Sequence, residues 1–523
     1  MQGEWTGELV GPDVWVTCRE LIPAGSVYAL LAEHREVLFP AVLFADMYPS
    51  RNGRPSVPPG VLAAAVVLQV LNGFSDFETV QALRCDLRWK AACGLGLNDP
   101  GFDPSLLVYF RRRLAASGDP RRIFTAVRAV VAETGVLKGR VRRALDSTVL
   151  DDAVATQDTV TQLVAAIRRV IRQVPGALES AAAHCTAHDY TDPGKPPIAW
   201  NDQAARADLV DALVTDAHRL LGHLPEQELS PAAADALGLL ALVAGQDVEP
   251  AEDSDGRWRI AQRTAYDRIV STADPQARHI HKNRTRHQDG YRAHLAFEPE
   301  AGLITAVELT GGTGGDNHEA AVAPGLIEHE DTDLTVLGDT AYSATELREH
   351  LHEHGHDLVI KPPPLTPAVP GGFTLDDFAI DTTTGEVTCP AGHTRTLGRP
   401  AGNGARQAQF KALCATCPLK NRCTRSKTGR VVTVHPRYDQ LKAARDHATA
   451  SGEWKAEYRR WRPPVERAVA WLVAHGNRRL RYRGVIKNNA WLHHRAAALN
   501  LRRLTTLGLT RADGTWALTN APA

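Results

Sequence analysis

Ten residues in the second half of the chain, LTVLGDTAYS at positions 334–343, join a short apolar strand pattern to a carboxylate. The apolar run ends in Gly338 and Asp339, and a helical pattern starts at Ala344. In open α/β sheets, ligands and substrates bind at the carboxyl ends of strands. We therefore predict that Asp339 ends a buried strand within a functional site. On this segment alone, a cap for the following helix is the alternative role.

Two further stretches supply acidic partners. Residues 141–148, VRRALDST, repeat the pattern of a strand that ends in an aspartate, Asp146, and residues 462–467, RPPVER, open a helix that carries Glu466. Carboxylate oxygens suit Mg²⁺, which keeps water molecules for a phosphate. Two such ions about 3.5–4 Å apart hold the attacking and leaving oxygens of a phosphodiester. A first-turn acid that only complements the helix dipole is the alternative for Glu466.

Length and composition exclude several classes of protein. The chain has 523 residues, of which 43% are hydrophobic, so about two to four domains with sizeable cores are expected. No run approaches the roughly 18 apolar residues of a membrane span, and no signal peptide is visible at the start. We expect a cytoplasmic protein with no membrane partner and with reduced cysteines.

The basic residues are clustered although the formal net charge is zero. Residues 454–504 contain thirteen Arg or Lys and two acids, and residues 404–430 contain seven and none. Clusters of this kind predict a polyanionic partner, with a solvated surface as the alternative. In residues 478–484, RRLRYRG, basic side chains flank an aromatic one, a pattern that suits contacts to a DNA backbone.

Helical spacing dominates residues 20–137, where short helices are joined by tight turns and one helix ends in three arginines, Arg111 to Arg113. This pattern fits a helix-turn-helix-like DNA-binding module, and a plain helical bundle is the alternative. A second helical block, at about residues 156–262, separates Asp146 from a β-hairpin over residues 291–309. We interpret that block as a packing insertion.

Four of the eight cysteines lie close together in the sequence, at Cys389, Cys414, Cys417 and Cys423. The spacing Cys414-x-x-Cys417 presents two thiolates together, which predicts a Zn²⁺ site. A small insert with few large apolar residues has a small core and needs a stabilising cross-link such as a bound metal ion. His393 could replace one sulfur, and buried cysteines without a metal are the alternative.

Taken together, these stretches resemble bacterial insertion-sequence transposases of the DDE class. The resemblance runs from about Pro58 to Leu504 and includes LNGFSD at 71–76, FRRRL at 110–114, DST at 146–148, GDTAY at 338–342, RPPVER at 462–467, RYRG at 481–484 and the Cys-rich insert. It implies an α/β fold: an RNase H-like mixed sheet flanked by helices, with an N-terminal all-α domain, a helical insertion and a small Cys-rich insert. The expected segments are 1–137 for the N-terminal domain, 138–364 and 432–508 for the two parts of the catalytic domain, 365–431 for the Cys-rich insert and 509–523 for a tail.

The resemblance also implies a function. Such an enzyme cuts and joins DNA at the element ends by phosphoryl transfer with Mg²⁺ or Mn²⁺, and Asp146, Asp339 and Glu466 are the implied catalytic and metal-binding triad. Its partners would be double-stranded DNA, both terminal inverted repeats and target, and a second copy on DNA, in a cytoplasm where it associates with the nucleoid. The expected DNA-binding residues are Arg462, Arg478, Arg479, Arg481, Arg483 and Lys487.

One departure concerns the residues around the glutamate. Many relatives have Tyr-x-x-Arg-x-x-x-Glu followed seven residues later by Lys, whereas Arg459 occupies the Tyr position here, Tyr458 is one residue early, and Val473 occupies the Lys position. The DNA contacts of that Tyr and Lys are therefore uncertain. Two other functions remain open: a catalytically inactive, transposase-derived, zinc-containing DNA-binding protein, and a nuclease that cuts without joining.

Overall fold

The N-terminal quarter of the chain is helical. The computed structural model describes residues 1–50, 52–224, 228–251, 256–265, 267–281, 287–330 and 333–520. The first helices are α1 (Val14–Thr17), α2 (Val27–Leu38), α3 (Pro59–Asn72), α4 (Asp76–Cys85), α5 (Leu87–Cys93), α6 (Ser105–Ala116) and α7 (Arg122–Glu133). Gly73 ends α3 in the left-handed conformation, and a capping box between Ser75 and Glu78 starts α4. The chain therefore turns sharply there, and α3 and α4 meet at an angle of 109°.

Among the residues described, no single helix is long and apolar enough to cross a membrane; only the bent pair α3 and α4, taken together, meets that length and composition.

The first strand of the main sheet is followed by a helical insertion with its own core. These elements are β1 (Arg142–Asp151), α8 (Thr159–Gln173), α9 (Ala177–His184), α10 (Gln203–Gly222), α11 (Pro231–Gln246), β2 (Val248–Pro250) and β3 (Trp258–Ile260). Apolar residues of α8, α10 and α11 pack together in a cluster separate from that of the sheet. Positions 225–227 and 252–255 of the expected insertion lie outside the described residues.

The main sheet is mixed. Its other strands and the two helices between them are β4 (Arg278–His281), β5 (His287–Glu298), β6 (Leu303–Gly311), α12 (Glu319–Ile327), β7 (Thr335–Gly338), α13 (Thr345–Glu353) and β8 (Asp357–Ile360). The strand order is β4-β5-β1-β7-β8, and β6 also pairs with β5. The pairs that β5 makes with β1, β4 and β6 are antiparallel, whereas β1–β7 and β7–β8 are parallel. The α/β fold class and the hairpin over residues 291–309 are confirmed.

The prediction that the first strand ends at Asp146 was wrong. β1 continues to Asp151, and Asp146 lies in its middle, paired with Leu295 of β5. The strand continues because β5 is long enough to pair with β1 as far as Gly290. The parallel neighbour β7, by contrast, pairs with β1 only up to Ala144. Asp146 therefore stands just beyond the end of a parallel pair rather than at the end of a strand.

The remaining elements form a small β-rich unit and a helical end. They are β9 (Ala379–Asp381), β10 (Glu386–Thr388), β11 (Thr394–Thr396), β12 (Arg406–Gln409), α14 (Lys420–Cys423), β13 (Val431–Val434), α15 (Tyr438–Ala450), α16 (Gly452–Trp461), α17 (Pro463–Val473), α18 (Val485–Thr506), β14 (Leu509–Ala512) and β15 (Thr515–Leu518). Where a tail was expected, β14 and β15 form a hairpin whose Trp516 packs on His34, with ring centroids 5.1 Å apart. Residues 521–523 lie outside the described residues.

One hydrophobic core joins the N-terminal helices to the sheet. α18 is buried along most of its length and packs against α3, α7 and β6. Its Arg495 is fully buried and donates hydrogen bonds to the carbonyl oxygens of Val70 and Leu71 at the end of α3, at 2.5 and 3.0 Å. These bonds satisfy carbonyl groups that a helix end leaves without partners. The N-terminal helices are thus fixed relative to the main sheet.

Candidate active site

Asp146 and Asp339 stand side by side on neighbouring parallel strands. The last parallel pair between β1 and β7 is Ala144 with Leu337, and each aspartate lies two residues beyond its member of that pair. Neighbouring strands are about 4.8 Å apart. The register therefore brings together two carboxylates that are distant in the sequence.

A buried guanidinium lies between the two carboxylates. Arg462 Nη1 donates to Asp146 Oδ2 at 3.0 Å, and Arg462 Nη2 is 3.9 Å from Asp339 Oδ2. The exposed side-chain fractions are 7% for Arg462, 14% for Asp146 and 44% for Asp339. Burial raises the pKa of the Asp146 carboxyl, and the charge of Arg462 offsets only part of that rise. Burial also disfavours the charge of Arg462, but the charge and hydrogen bond of Asp146 together with the charge of Asp339 raise the pKa of Arg462.

The carboxylate of Asp339 has two roles. Its Oδ1 accepts a hydrogen bond from Ala341 N at 2.9 Å and caps a single helical turn over Thr340–Tyr342. Its Oδ2 faces Arg462. The helix-cap interpretation therefore describes one oxygen of this residue, while the other oxygen belongs to the cluster with Asp146.

Glu466 lies on the helix that carries Arg462. The two residues are four positions apart at the start of α17, so they share one face of the helix, and α17 packs against β1. The Glu466 side chain is exposed. Burial raises the pKa of the Tyr458 hydroxyl, and the charges of Asp339 and then Glu466 raise it further. The charges of Asp339 and Glu466 thus both act on one phenol, whereas no hydrogen bond or ion pair among the described residues joins Glu466 to either aspartate.

Sequence reasoning missed a further acid beside Asp146. Glu319, the first residue of α12, accepts a hydrogen bond from Ser147 Oγ at 2.9 Å and pairs with Arg292 of β5. Burial alone would raise the pKa of Glu319, but the charge of Arg292 together with hydrogen bonds from the backbone and from Ser147 lowers it. Glu319 lies two residues beyond a glycine-rich segment, GGTGGDN at 311–317. No local pattern marks it, because its contacts depend on how α12 packs on the sheet.

Tyr342, from the GDTAY motif, completes the acidic cluster. Its side chain is buried, and within the described part of the chain its hydroxyl has no hydrogen-bond partner. Burial raises the pKa of Tyr342 well above the usual value, and the charges of Asp146, Glu319 and Asp339 add to that rise. The hydroxyl therefore remains protonated among three carboxylates.

The basic segment at 478–484 meets the N-terminal helices. Arg481 donates to the carbonyl oxygen of Gly73, and the guanidinium of Arg111 lies 5.4 Å from the ring centre of Tyr482. A Cβ atom on Gly73 would lie 2.0 Å from the carbonyl oxygen of His475, so only glycine fits at this crossing. Three stretches that are far apart in the sequence, 71–76, 110–114 and 481–484, therefore meet at one place.

Most of the expected DNA-binding side chains are accessible. Arg479, Arg481, Arg483 and Lys487 are exposed, and Arg478 is half-buried with a hydrogen bond to Val149 O at 2.9 Å. Arg462 is the exception, because it is buried against the two aspartates. A basic surface beside the turn between α3 and α4 is formed by the exposed side chains of Arg479, Arg481, Arg483 and Lys487. We call this surface the basic loop.

Comparison with known families matches two parts of the chain. Residues 16–113 match the family described as "Transposase domain (DUF772)". Residues 388–505 match the family described as "Transposase DDE domain". These two matches support the identification of the chain as a DDE transposase of an insertion sequence. No curated protein and no solved structure matches it.

Membership of this family establishes the activity. The transposase cuts and joins DNA, and DDE transposases generally use divalent metal ions for this reaction. The inactive DNA-binding protein is not favoured. The matched DDE segment contains Glu466, the basic loop and the four cysteines, whereas Asp146 and Asp339 lie before it. The role of each aspartate therefore rests on the geometry described above.

The four cysteines of the transposase are drawn together in the Cys-rich unit. Cys389, Cys414, Cys417 and Cys423 line one small cavity with His393. Burial raises the pKa of the Cys423 thiol, and its proximity to the other three cysteines adds to that rise. Among the described residues, however, a group of three donor atoms that all lie within 4.8 Å of one another is formed by histidines elsewhere in the chain, not by these cysteines. No three of the four sulfur atoms are that close together in the described part of the chain.

Proposed function

We propose that Asp146, Asp339 and Glu466 hold the catalytic Mg²⁺ (or Mn²⁺) ions of the transposase in an RNase H-like domain. The observation that carries this proposal is the convergence of Asp146 and Asp339 from neighbouring parallel strands. The strand order supports it as well, since the antiparallel strands β6, β5 and β1 continue into the parallel strands β7 and β8. That order is typical of RNase H-like folds.

The donor set fits a hard divalent cation. All three groups offer carboxylate oxygens, and the exposure of Asp339 and Glu466 leaves access for water and a phosphate. When bound, the ions would activate a water molecule or a 3′-hydroxyl and stabilise the leaving oxygen of the phosphodiester. In this proposal the chain itself would hold the carboxylates: the β1–β7 register supports the positions of the two aspartates, and the packing of α17 on β1 supports that of Glu466.

Arg462 has the geometry of an internal counter-ion. Its guanidinium neutralises Asp146 and Asp339, which would otherwise repel each other in a partly buried site. Cations at the carboxylates would take over this role and free the guanidinium. A freed guanidinium binds a phosphate with two parallel hydrogen bonds. Arg462 would then contact DNA as the sequence implied, but only when the metal site is filled.

Glu319 and Glu466 are competing third carboxylates, and paired substitutions distinguish them. Glu466→Gln should abolish cleavage of element-end DNA while the fold and DNA binding remain, because Glu466 is exposed and makes no structural ion pair in the described residues. Glu319→Gln keeps a hydrogen-bond acceptor for Ser147 but loses the charge that pairs with Arg292. It should lower the free energy of unfolding and reduce cleavage less. If Glu466→Gln cleaves normally and Glu319→Gln does not, Glu466 is not the third ligand.

We also propose that Cys389, Cys414, Cys417 and Cys423 bind one Zn²⁺ ion, with His393 as a possible substitute ligand. Their shared cavity and the small core of this unit support the site. Zinc analysis of protein purified without chelator should give one ion fewer for Cys417→Ser than for the natural chain. Cys85→Ser, at an exposed cysteine of α4, is the matched control. Equal zinc in all three proteins would exclude this site.

The basic loop and the α3–α4 turn beside it are proposed to bind the terminal inverted repeats, with target DNA entering at the carboxylates. This proposal is supported by the exposure of Arg479, Arg481, Arg483 and Lys487. It is also supported by the hydrogen bond that Arg481 donates to the carbonyl oxygen of Gly73. Since transposition joins two element ends, the DNA-bound enzyme is proposed to be a homodimer associated with the nucleoid. Light scattering of the enzyme with and without element-end DNA tests the dimer.

A further inference from the structure

Three histidines meet on the hairpin formed by β4 and β5 at the edge of the main sheet. His279 and His281 are two residues apart on β4, so their side chains project from the same face of the strand. His281 pairs directly with His287 of β5 in the antiparallel register. The backbone of the hairpin therefore places three imidazoles on one face.

The three rings form a tight triangle. Their centroids are 4.9 Å apart for His279 and His281, 5.2 Å for His279 and His287, and 4.4 Å for His281 and His287. One ring nitrogen from each residue lies within 4.8 Å of the corresponding nitrogens of the other two. Three imidazoles at this spacing can reach one ion with metal–nitrogen distances of about 2.0–2.1 Å after small side-chain rotations.

A carboxylate orients one of these ligands. Asp289 Oδ1 lies 2.6 Å from His279 Nδ1, and this contact is only partly exposed. An Nδ1–H donated to the carboxylate leaves Nε2 of His279 as the free lone pair. Carboxylates of this kind fix the tautomer and raise the basicity of histidines that bind metals. The other oxygen of Asp289 accepts a hydrogen bond from Thr156, three residues before α8.

This cluster is remote from the DDE carboxylates. His287 lies eight residues before Leu295, the β5 partner of Asp146, which corresponds to roughly 26 Å along a strand. The two sites also differ in donor chemistry. Carboxylate oxygens select hard ions such as Mg²⁺, whereas imidazole nitrogens select borderline transition-metal ions.

We propose that His279, His281 and His287 bind one divalent transition-metal ion of the Zn²⁺ type, with the remaining coordination position open to water. The ion joins β4 to β5 and, through Asp289 and Thr156, fixes the hairpin to the segment where the helical insertion begins. Neither the catalytic reaction nor the Cys-rich unit takes part in this site, so it stands independently of the proposed function.

Equilibrium dialysis of the full chain against Zn²⁺, with excess Mg²⁺ to occupy carboxylates, tests the proposal. The natural chain should bind one zinc ion more than the double variant His281→Gln, His287→Gln. A second double variant, His352→Gln with His447→Gln, removes two exposed histidines outside the cluster and should bind as much zinc as the natural chain. Zinc held by the cysteines contributes equally to all three proteins. Equal zinc binding by all three would overturn the proposal.

A milder substitution provides a second test that does not remove a ligand. Asp289→Asn should weaken the affinity for this one zinc ion by about 10–100-fold, the usual effect of losing a carboxylate behind a metal-bound histidine. Zinc should also slow amide hydrogen exchange in β4 of the natural chain and not in the His281→Gln, His287→Gln variant. If Asp289→Asn binds zinc with unchanged affinity, or if zinc leaves exchange in β4 unchanged, the three histidines do not form this site.

Discussion

Replacing Arg462 by Ala should destabilise the metal-free transposase, and Mg²⁺ should reverse much of the loss. In the natural chain, the buried Arg462 donates to the buried Asp146 and lies near the more exposed Asp339. Removing one partner of a buried ion pair leaves an uncompensated charge, which costs about 3–5 kcal/mol. The contact to Asp339 adds little, because it is long and that side chain is 44% exposed.

The reversal by Mg²⁺ distinguishes a metal site from an ordinary ion pair. In Arg462→Ala the two carboxylates repel each other and no guanidinium competes with the ion. A ligand that binds only the folded state stabilises it by about 2.7 kcal/mol at a hundred times its dissociation constant. Millimolar Mg²⁺ should therefore restore most of the stability of Arg462→Ala and stabilise the natural chain less.

Urea unfolding followed by tryptophan fluorescence is a suitable assay, because Trp461 directly precedes Arg462 and lies against Arg142 at 5.0 Å. The matched control is Arg445→Ala, which breaks the two-point ion pair of Arg445 with Asp376, away from the cluster. That variant should lose stability to a similar degree with and without Mg²⁺. If Mg²⁺ fails to rescue Arg462→Ala, or rescues Arg445→Ala equally, Asp146 and Asp339 do not form a cation site.

Two further predictions concern pH and DNA. Asp152 is buried, and burial together with the charge of Asp274 raises the pKa of Asp152 to about 6. The stability that Asp152 contributes is complete below its unfolded pKa of about 3.9 and is lost as the pH rises through 6. The free energy of unfolding should change by about 3 kcal/mol over this range. Asp152→Asn should therefore flatten the fall in the urea midpoint between about pH 4 and pH 7, and an unchanged profile would contradict this assignment. Replacing both Arg481 and Arg483 by Ala should weaken binding to element-end DNA and reduce the slope of log K against log salt by about 2, whereas an unchanged slope would show that neither side chain contacts a phosphate.

The sequence contained enough to predict the class of fold and the local elements that carry Asp339 and Glu466 of the proposed site. A strand that ends in Gly338-Asp339 and a helix that starts at Pro463 are local patterns, and both are present in the structure. The hairpin over residues 291–309 was predictable for the same reason, because alternation and a turn are encoded locally. Asp146 was recognised in the sequence as a candidate, but its position in the middle of β1 was not predicted.

What could not be predicted depends on contacts between distant segments. The length of β1 is set by its pairing with β5, and the register of Ala144 with Leu337 is set across the helical insertion. The position of Arg462 between the aspartates follows from how α17 packs on β1, so the sequence suggested only a DNA contact for it. Glu319 has no local signal for the same reason.

The most direct test of the account is cleavage of element-end DNA by Asp339→Asn. Asparagine caps a helical turn about as well as aspartate, so this variant keeps the bond to Ala341 N and removes only the charge that faces Arg462. We expect normal folding, retained DNA binding, and Mg²⁺-dependent cleavage reduced by several orders of magnitude, because anionic oxygens hold the ion. Cleavage at a rate comparable to that of the natural chain would show that Asp339 is only a helix cap, and it would contradict the proposed metal site.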